Sequence, residues 1–177
     1  LPEFQRASLD ALRQPLEERR VTISRVSGNV TYPSDFMLVC AMNPCPCGYY
    51  PDRARCSCTR PQVHRYMGKV SGPILDRIDL CVELAAVDYD SLKSRAKAES
   101  SAEIRGRVER ARRIQEERFR GTSTRFNGDI EVSAMERYCG LGEEQQRCME
   151  RLYGSLQLSA RAYHRILRVA RTIADLE

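Results

Sequence analysis

The sequence lacks the glycine-rich loop, Gly-x-x-x-x-Gly-Lys-Ser/Thr, with which P-loop proteins hold nucleotide phosphates. Its single Gly-Lys pair, Gly68-Lys69, is followed by Val70, and Val63 stands where the first glycine would be. No run approaches the about 20 apolar residues of a membrane-spanning helix, and no signal peptide is visible. These absences exclude a phosphate cradle of that type from the 177 residues, and they favour a cytoplasmic location.

Proline is absent after Pro73, since all eight prolines lie at or before that position. The remainder of the chain is rich in Ala, Arg, Glu and Leu, which predicts helices there. We therefore expect two domains, residues 1–90 and 91–177. The chain begins with Leu1 rather than Met, from which we expect it to be part of a larger protein.

The first domain combines helical, hairpin and buried-strand patterns. Leucines at helical spacing predict a helix over Phe4–Leu16 that ends or kinks near Pro15. Two short alternating runs around the turn Ser27-Gly28 predict a β-hairpin: Val21–Arg25 and Asn29–Tyr32. Two apolar segments are typical of strands buried on both faces of a parallel sheet: Phe36–Ala41 and Leu80–Leu84.

The second domain is predicted to be a small helical bundle. Apolar residues from Ile104 to Ile114 mark one face of a long helix. Ser133 could cap a short helix, and a further helix should run over Glu143–Tyr153, after two glycines. Ser159 is the predicted N-cap of the last helix. The fold class is thus α/β plus all-α: a fragment of a P-loop-type parallel sheet with a hairpin insertion, joined to a helical bundle.

Two polar side chains that could contact a phosphate adjoin the apolar segments. Asn43 comes at the carboxyl end of the first predicted strand, the edge where α/β sheets bind ligands; the alternative is a simple Asn43-Pro44 turn. Arg77, between Asp76 and Asp79, could be an arginine finger that stabilises charge on a transferred phosphoryl group. The alternative for Arg77 is a surface ion pair.

Arg161 lies in the first turn of the last helix. A cation there opposes the helix dipole, which makes sense if it is placed to meet an anion that the helix N-terminus also favours. The alternative is an ordinary solvent-facing arginine in a helix that has several.

Half of the eight cysteines are close together in sequence, as two Cys-x-Cys pairs: Cys45, Cys47, Cys56 and Cys58. Such pairs can offer four thiolates to one tetrahedral, structural Zn²⁺. With no export signal, metal is a stronger explanation than a disulfide framework. Free or oxidised thiols are the alternative, and His64 is a possible substitute ligand. We expect the others to be small core residues: Cys40, Cys81, Cys139 and Cys148.

The predicted hairpin exposes Thr22, Ser24 and Arg25, which makes it a candidate DNA contact. Hydroxyl and guanidinium groups bind DNA phosphates without reading sequence. The alternative is a hairpin that only solvent contacts. The net charge of +5 permits contact with nucleic acid but does not by itself argue for it.

Five stretches together resemble the magnesium-chelatase-like AAA+ ATPases of the ComM/YifB family, over nearly the whole chain. The two most specific are Met-Asn-Pro-Cys-Pro-Cys-Gly at Met42–Gly48 and Ser-Ala-Arg-Ala-Tyr-His-Arg-Ile at Ser159–Ile166. The other three are Leu1–Phe4, the hairpin run Val21–Arg25, and Ser71–Asp79.

The resemblance implies hexameric rings driven by ATP and Mg²⁺. It implies that Asn43 is sensor 1, Arg77 the arginine finger and Arg161 the sensor 2 arginine of a helical lid formed by residues 91–177. The hairpin resembles the pre-sensor-1 insertion of this clade. ComM proteins are implied to be DNA helicases of branch migration during natural transformation. The family's Walker A and Walker B motifs are not among these residues, so we expect this chain to be a non-catalytic part of such a motor.

Two other functions are consistent with the same motifs. The chain could be a non-enzymatic DNA-binding module built around a zinc knuckle, residues 45–58, and the hairpin. It could also belong to the ATPase subunit of a magnesium-chelatase-type enzyme, which drives metal insertion into a porphyrin.

Overall fold

The chain divides into two compact units, Leu1–Cys81 and Val82–Glu177. The computed structural model describes residues 1–26, 28–85, 87, 89, 93 and 98–177. The predicted domain boundary, between residues 90 and 91, lies outside the described residues. No helix within those ranges has the length and apolar character needed to cross a membrane.

Two short helices, α1 (Arg6–Ala11) and α2 (Arg13–Glu18), replace the single helix predicted for Phe4–Leu16. The break falls at Leu12 rather than at Pro15. In a continuous helix the ring of Pro15 would clash with the carbonyl group four residues earlier. Proline is instead accommodated in the first turn of α2, where no intrahelical N–H bond is required.

Strands β1 (Arg20–Arg25) and β2 (Gly28–Pro33) form the predicted antiparallel hairpin. The register places Arg25 opposite Gly28, so the connection has two residues. Gly28 has a φ of 134°, a conformation that favours glycine. The predicted turn residue Ser27 lies outside the described residues.

The hairpin is the only sheet in the described ranges, so the predicted parallel sheet is not formed there. Phe36–Ala41 and Leu80–Leu84 have no ladder hydrogen bonds. Their apolar side chains are exposed, except for the half-buried Leu38. Met37 is 86% exposed, Val39 81% and Leu84 91%. A strand buried on both faces needs neighbouring strands for its backbone and packed layers for its side chains. The residues described here do not supply those neighbours.

The rest of the first unit contains α3 (Arg60–Met67) and the single turn α4 (Gly72–Leu75). A capping box begins α3, because Thr59 accepts the N–H of Gln62 and the Gln62 side chain accepts the N–H of Thr59. Buried apolar residues of this unit lie before the cysteine loop, in it and after it: Pro2, Leu9, Pro15, Cys45, Tyr66, Val70 and Ile74.

The second unit is helical, as predicted. Its helices are α5 (Ser101–Arg118), α6 (Met135–Cys139), α7 (Glu143–Ser155) and α8 (Ala160–Leu176). Ser159 is the N-cap of α8, since its hydroxyl accepts the N–H of Ala162 at 3.1 Å. Ser133 is not a cap: it lies inside the 3₁₀ turn Val132–Ala134, which leads into α6.

The apolar core of the second unit joins α6 and α8 to the end of α5. The rings of Phe119 and Tyr138 pack edge to face, with their centroids 5.1 Å apart. Five residues of this core are buried: Phe119, Ile130, Met135, Cys139 and Leu167.

A buried polar network ties α5 to α8. Arg118 donates to both carboxylate oxygens of Asp175 and, at 2.8 Å, to the side-chain oxygen of Asn127. The Asn127 amide donates to Asp175 at 2.7 Å and to the hydroxyl of Thr172 at 3.1 Å. The Asp175 side chain is 1% exposed. Every member of this buried network therefore has a partner, which such groups need to be stabilising.

The network also sets the ionisation of Asp175. Burial by itself would raise the pKa of this carboxyl, but hydrogen bonds from Arg118 and Asn127 outweigh burial and lower the pKa below its ordinary value. A carboxylate with a lowered folded-state pKa stabilises the fold above its unfolded pKa of about 4 and loses that contribution as the pH falls further.

We expect Asp175→Asn to lower the free energy of unfolding by about 3 kcal/mol at pH 7, because it leaves the buried Arg118 without its counterion. Urea unfolding followed by circular dichroism measures this. The control is Glu143→Gln, whose carboxylate is 95% exposed, and which should change stability by less than about 0.5 kcal/mol. The difference between wild type and Asp175→Asn should shrink below about pH 4; a difference that persists at low pH contradicts the assignment.

Candidate functional site

Four cysteine sulfurs converge in the first unit. Cys45, Cys47, Cys56 and Cys58 have all their Sγ atoms within 4.8 Å of one another, and all four are free thiols. The Sγ atom of Cys45 lies 3.3 Å from that of Cys47 and 3.8 Å from that of Cys56. The cluster thus joins two Cys-x-Cys pairs, as the sequence predicts, and His64 is not part of it.

The local chain path explains why the sulfurs meet. The N–H of Gly48 bonds to the carbonyl of Cys45 at 3.0 Å, and Gly48 has a φ of 84°, so the first pair ends in a tight turn. A second turn closes where the N–H of Cys56 reaches the carbonyl of Asp52 at 2.8 Å. Directly after Cys58, the capping box of α3 fixes the exit from the loop.

The sulfur geometry fits a tetrahedral metal ion. A Zn–S bond of about 2.3 Å implies edges of about 3.8 Å between sulfurs of a tetrahedral site. The separations among the sulfurs of Cys45, Cys47 and Cys56, at 3.3, 3.6 and 3.8 Å, lie close to that edge. The sulfur of Cys58 lies within 4.8 Å of each of them. Four sulfur ligands form a closed site with no open coordination position. A metal ion bound there would stabilise the fold and could not bind a substrate.

The thiols of the cluster differ in pKa. The backbone N–H of Tyr49 is the largest cause that lowers the pKa of Cys47, to about 6. For Cys56 the backbone N–H of Cys58 acts in the same direction, but burial and the neighbouring thiols outweigh it and raise the pKa to about 12. In addition, the N–H of Tyr50 donates to the Sγ of Cys45 at 3.4 Å. A bound dication would let all four sulfurs ionise together.

Asn43 is exposed, directly before the cysteine cluster. Its amide nitrogen lies 3.8 Å from the position that a Cβ on Gly48 would occupy, so the turn of the cysteine loop passes close to it. The backbone of Asn43 forms a hydrogen bond with the hydroxyl of the buried Tyr66. The Asn43 side chain is therefore exposed beside the turn of the cysteine loop, where a ligand can reach it.

Arg77 is turned inward, and its partner is neither of the neighbouring aspartates that the sequence suggested. The guanidinium forms an ion pair with Glu17 of α2 and donates to the carbonyl of Pro73 at 2.5 Å. The Arg77 side chain is 11% exposed, and its Nε is buried without a hydrogen-bond partner. The Glu17 side chain, by contrast, is 43% exposed. The pair thus links α2 to the segment after α4.

Arg161 is exposed at the second position of α8, in the second unit. The capped first turn that carries it leaves the helix N-terminus at the surface, with Ser159 and Ala160 both exposed. Arg161 and the first-unit residues Asn43 and Arg77 are therefore each positioned by the fold of their own unit.

The hairpin separates the three predicted DNA-contacting residues. Cross-strand pairs share a face, so Thr22 and Ser24 lie together on a polar face, where the hydroxyls of Thr22 and Thr31 are 3.0 Å apart. Arg25 lies on the opposite face, at the end of a row of apolar side chains. That row consists of the half-buried Val21 and the exposed Ile23, Val30 and Tyr32. One ligand strand on one face cannot contact all three predicted residues.

The prediction that the other four cysteines are core residues is wrong for three of them. Cys139 is buried, whereas Cys40, Cys81 and Cys148 are exposed. Cys40 and Cys81 belong to the apolar segments that have no sheet neighbours here, which accounts for their exposure.

Sequence reasoning missed the roles of Tyr66 and of the Arg118–Asp175 pair. Tyr66 is buried beside Glu3, the backbone of Asn43 and Cys45, so it connects α3 to the Asn43 position. The signal for Asp175 was its helical spacing, because it falls two turns after the buried Leu167 on the same face of α8.

Comparison with known proteins covers almost every residue. A family model described as magnesium chelatase, subunit ChlI, matches residues 1–92, and one described as magnesium chelatase, subunit ChlI C-terminal, matches residues 98–177. Competence protein ComM of Haemophilus influenzae is 43% identical over 179 residues, which cover 100% of this chain and 34% of that protein. The uncharacterized protein YifB of Salmonella typhimurium is 42% identical over 178 residues, with the same coverage, and YifB of Escherichia coli is 40% identical.

The chain spans about a third of the length of these curated relatives. The first family model alone matches more than half of the chain. The chain therefore belongs to the magnesium-chelatase-like AAA+ family of ComM and YifB.

Proposed function

We propose that this chain is part of an ATP-hydrolysing motor that acts on DNA, with DNA branch migration of the ComM type as its activity and the cytoplasm as its location. Family membership over the whole chain carries the proposal. Asn43, Arg77 and Arg161 all fall in stretches that resemble the family, and Asn43 and Arg161 fall in the two most specific ones. The chain has no glycine-rich phosphate loop. Its residues therefore act on a nucleotide that is held mainly by other parts of the full-length protein.

In this proposal each polar side chain has a separate role at the nucleotide. ATP with Mg²⁺, when bound, supplies the phosphoryl group and part of its charge neutralisation. The exposed Asn43 amide orients the attacking water without adding charge. Arg161, at the N-terminus of α8, meets the terminal phosphate where the helix also favours an anion. Residues 91–177 form the lid that carries this arginine.

Arg77 acts across a subunit boundary in a ring of six copies. To do so, its guanidinium exchanges Glu17 for the oxygens of a phosphoryl group on the neighbouring subunit. The half-exposed Glu17 carboxylate makes this exchange inexpensive, because water can solvate it after the guanidinium leaves. The buried Nε of Arg77, which has no partner in the present position, would gain one.

Arg77→Ala in the full-length protein should lower kcat for ATP hydrolysis about 10³-fold with little change in KM, because a finger acts on the transition state. Steady-state ATPase assays measure this. Glu17→Ala is the matched control, since it breaks the same ion pair but keeps the guanidinium, and it should retain hydrolysis.

A purely structural role for Arg77 gives a different result. Both variants would then lose thermal stability to a similar extent and would hydrolyse ATP at similar rates. Mixing Arg77→Ala subunits with subunits whose own phosphate loop is disabled should restore part of the activity if the finger acts between subunits. No recovery in mixed rings would contradict the proposed position.

We further propose that the cysteine cluster holds one structural Zn²⁺. The ion would fix the loop between the two cysteine pairs and, through the turn at Gly48, the position of Asn43. The closeness of the sulfur separations to a tetrahedral edge supports this. Neither hydrolysis nor redox chemistry is assigned to the metal, because four thiolates leave no open position.

Protein purified without chelator should contain one zinc per chain by elemental analysis. Cys56→Ser should remove it and lower the melting temperature of the chain, because metal binding contributes folding free energy. Cys40→Ser, an exposed cysteine outside the cluster, is the control and should keep the zinc. Wild-type protein that contains no zinc, and that shows no visible cobalt–thiolate absorption after addition of Co²⁺, contradicts the assignment.

The hairpin is the proposed DNA contact of the motor, and its two faces should differ. Arg25→Ala should weaken single-stranded DNA binding and reduce the slope of log K against log salt by about 0.7, the loss of one phosphate contact. Replacing Thr22 and Ser24 by alanine should leave that slope unchanged, because hydroxyls release no counterions. Fluorescence anisotropy titrations at several salt concentrations decide between them. Equal slopes for wild type and Arg25→Ala would exclude Arg25 as a phosphate contact.

A further inference from the structure

The loop between the cysteine pairs and helix α3 carry a concentration of positive charge that the proposed motor does not use. Residues 44–70 contain five basic side chains but only one acidic side chain, Asp52. The basic residues are Arg53, Arg55, Arg60, Arg65 and Lys69. This excess is larger than the two negative charges that four thiolates and a dication would leave, so the segment remains basic with metal bound.

The charge is on the surface and is not neutralised within the chain. All five basic residues are exposed. None of them forms an ion pair with a carboxylate in the part of the chain that the structure describes. The side chain of Asp52 is oriented locally, since it accepts the N–H of Ala54 at 2.9 Å. The arginines of the loop are therefore available to an external anion.

Two exposed aromatic rings lie within this basic surface. Tyr49 and Tyr50 begin the loop and are 44% and 46% exposed. The guanidinium of Arg55 stacks on the Tyr49 ring at 4.1 Å from its centroid, which fixes the ring while leaving much of its surface open. A tyrosine pair beside unpaired arginines combines the two elements that bind single-stranded nucleic acid: stacking surfaces for bases and cations for phosphates.

We propose that this surface of the cysteine loop binds single-stranded nucleic acid, with Arg53 and Arg60 on phosphates and unpaired bases stacked on Tyr49 and Tyr50. In duplex DNA the base faces stack on one another. A duplex would therefore contact the arginines through its phosphates but could not stack bases on the tyrosine rings. An acidic protein segment would likewise have no use for the rings. The proposal does not depend on ATP hydrolysis or on the hairpin, because it rests on the loop and α3 alone.

The test is anisotropy titration of the full chain with a labelled single-stranded oligonucleotide, the same sequence as a duplex, and an abasic oligonucleotide. Arg53→Ala with Arg60→Ala should reduce the slope of log K against log salt by about 1.4, the loss of two phosphate contacts. Tyr49→Ala should weaken single-strand binding about tenfold and leave duplex binding unchanged. Abasic strands should bind wild type and Tyr49→Ala equally.

Matched controls come from the second unit. Arg147 has a 74% exposed side chain and Tyr153 is 44% exposed, as Tyr49 is. Arg147→Ala and Tyr153→Ala should leave the binding of the oligonucleotide unchanged. Zinc content is measured in each loop variant to show that the cysteine cluster is intact. None of the replaced residues is a sulfur ligand, so each variant should keep its metal.

Several outcomes would overturn the proposal. Loop variants that change binding no more than Arg147→Ala would exclude the surface. Equal effects of Tyr49→Ala on the single strand, the duplex and the abasic strand would indicate a general polyanion site instead. Loss of binding in Arg25→Ala with none in the loop variants would leave the hairpin as the DNA contact and remove the loop; the reverse result would keep the loop and remove the hairpin.

Discussion

The convergence of four sulfurs on one point is the constraint on which the functional surfaces of the first unit depend. Residues 44–59 contain no helix or strand, so their path is set by turns and by the meeting of the two Cys-x-Cys pairs. Asn43 precedes this point directly, and α3 starts directly after it. The exposed tyrosines and arginines lie on the loop that the sulfurs close. A change at the cluster would therefore displace the proposed phosphate sensor and the basic surface together.

The Glu17–Arg77 pair illustrates how one side chain can belong to both the fold and the proposed mechanism. Removing a largely buried guanidinium from its partner is costly unless a new anion replaces that partner. A phosphoryl group with charge on three oxygens is such an anion, and it can accept the parallel N–H groups of a guanidinium. The ion pair thus stores the arginine in a defined position close to α4. Breaking the pair costs less at Glu17 than at Arg77, because water can solvate the half-exposed carboxylate.

Sequence patterns predicted the elements whose stabilising partners lie a few residues away. The hairpin, the Ser159 cap, the long helix α5 and the pairing of the cysteines all depend on local contacts, and all are present. The sequence predicts the helix break near Pro15, and the break lies at Leu12 instead. The reason is that a proline ring clashes with the carbonyl group one turn before it. Helical spacing indicates that Asp175 lies on the buried face of α8. It does not indicate that Arg118 is the partner, since the two residues are 57 positions apart. The Arg77 partner was missed for the same reason, at a separation of 60 residues.

The two apolar segments show how a pattern typical of buried strands can occur where no strand forms. The apolar side chains of Phe36–Ala41 and of Leu80–Leu84, which also contains Glu83, are typical of buried strands. Their burial contributes about 25 cal/mol per Å² only when other layers cover them. A helix satisfies its own backbone, which is why the second unit folds as its sequence predicts. A parallel strand depends on neighbours that can be far away in the chain. Met37 and Leu84 are exposed because no strand in the described ranges lies beside either segment.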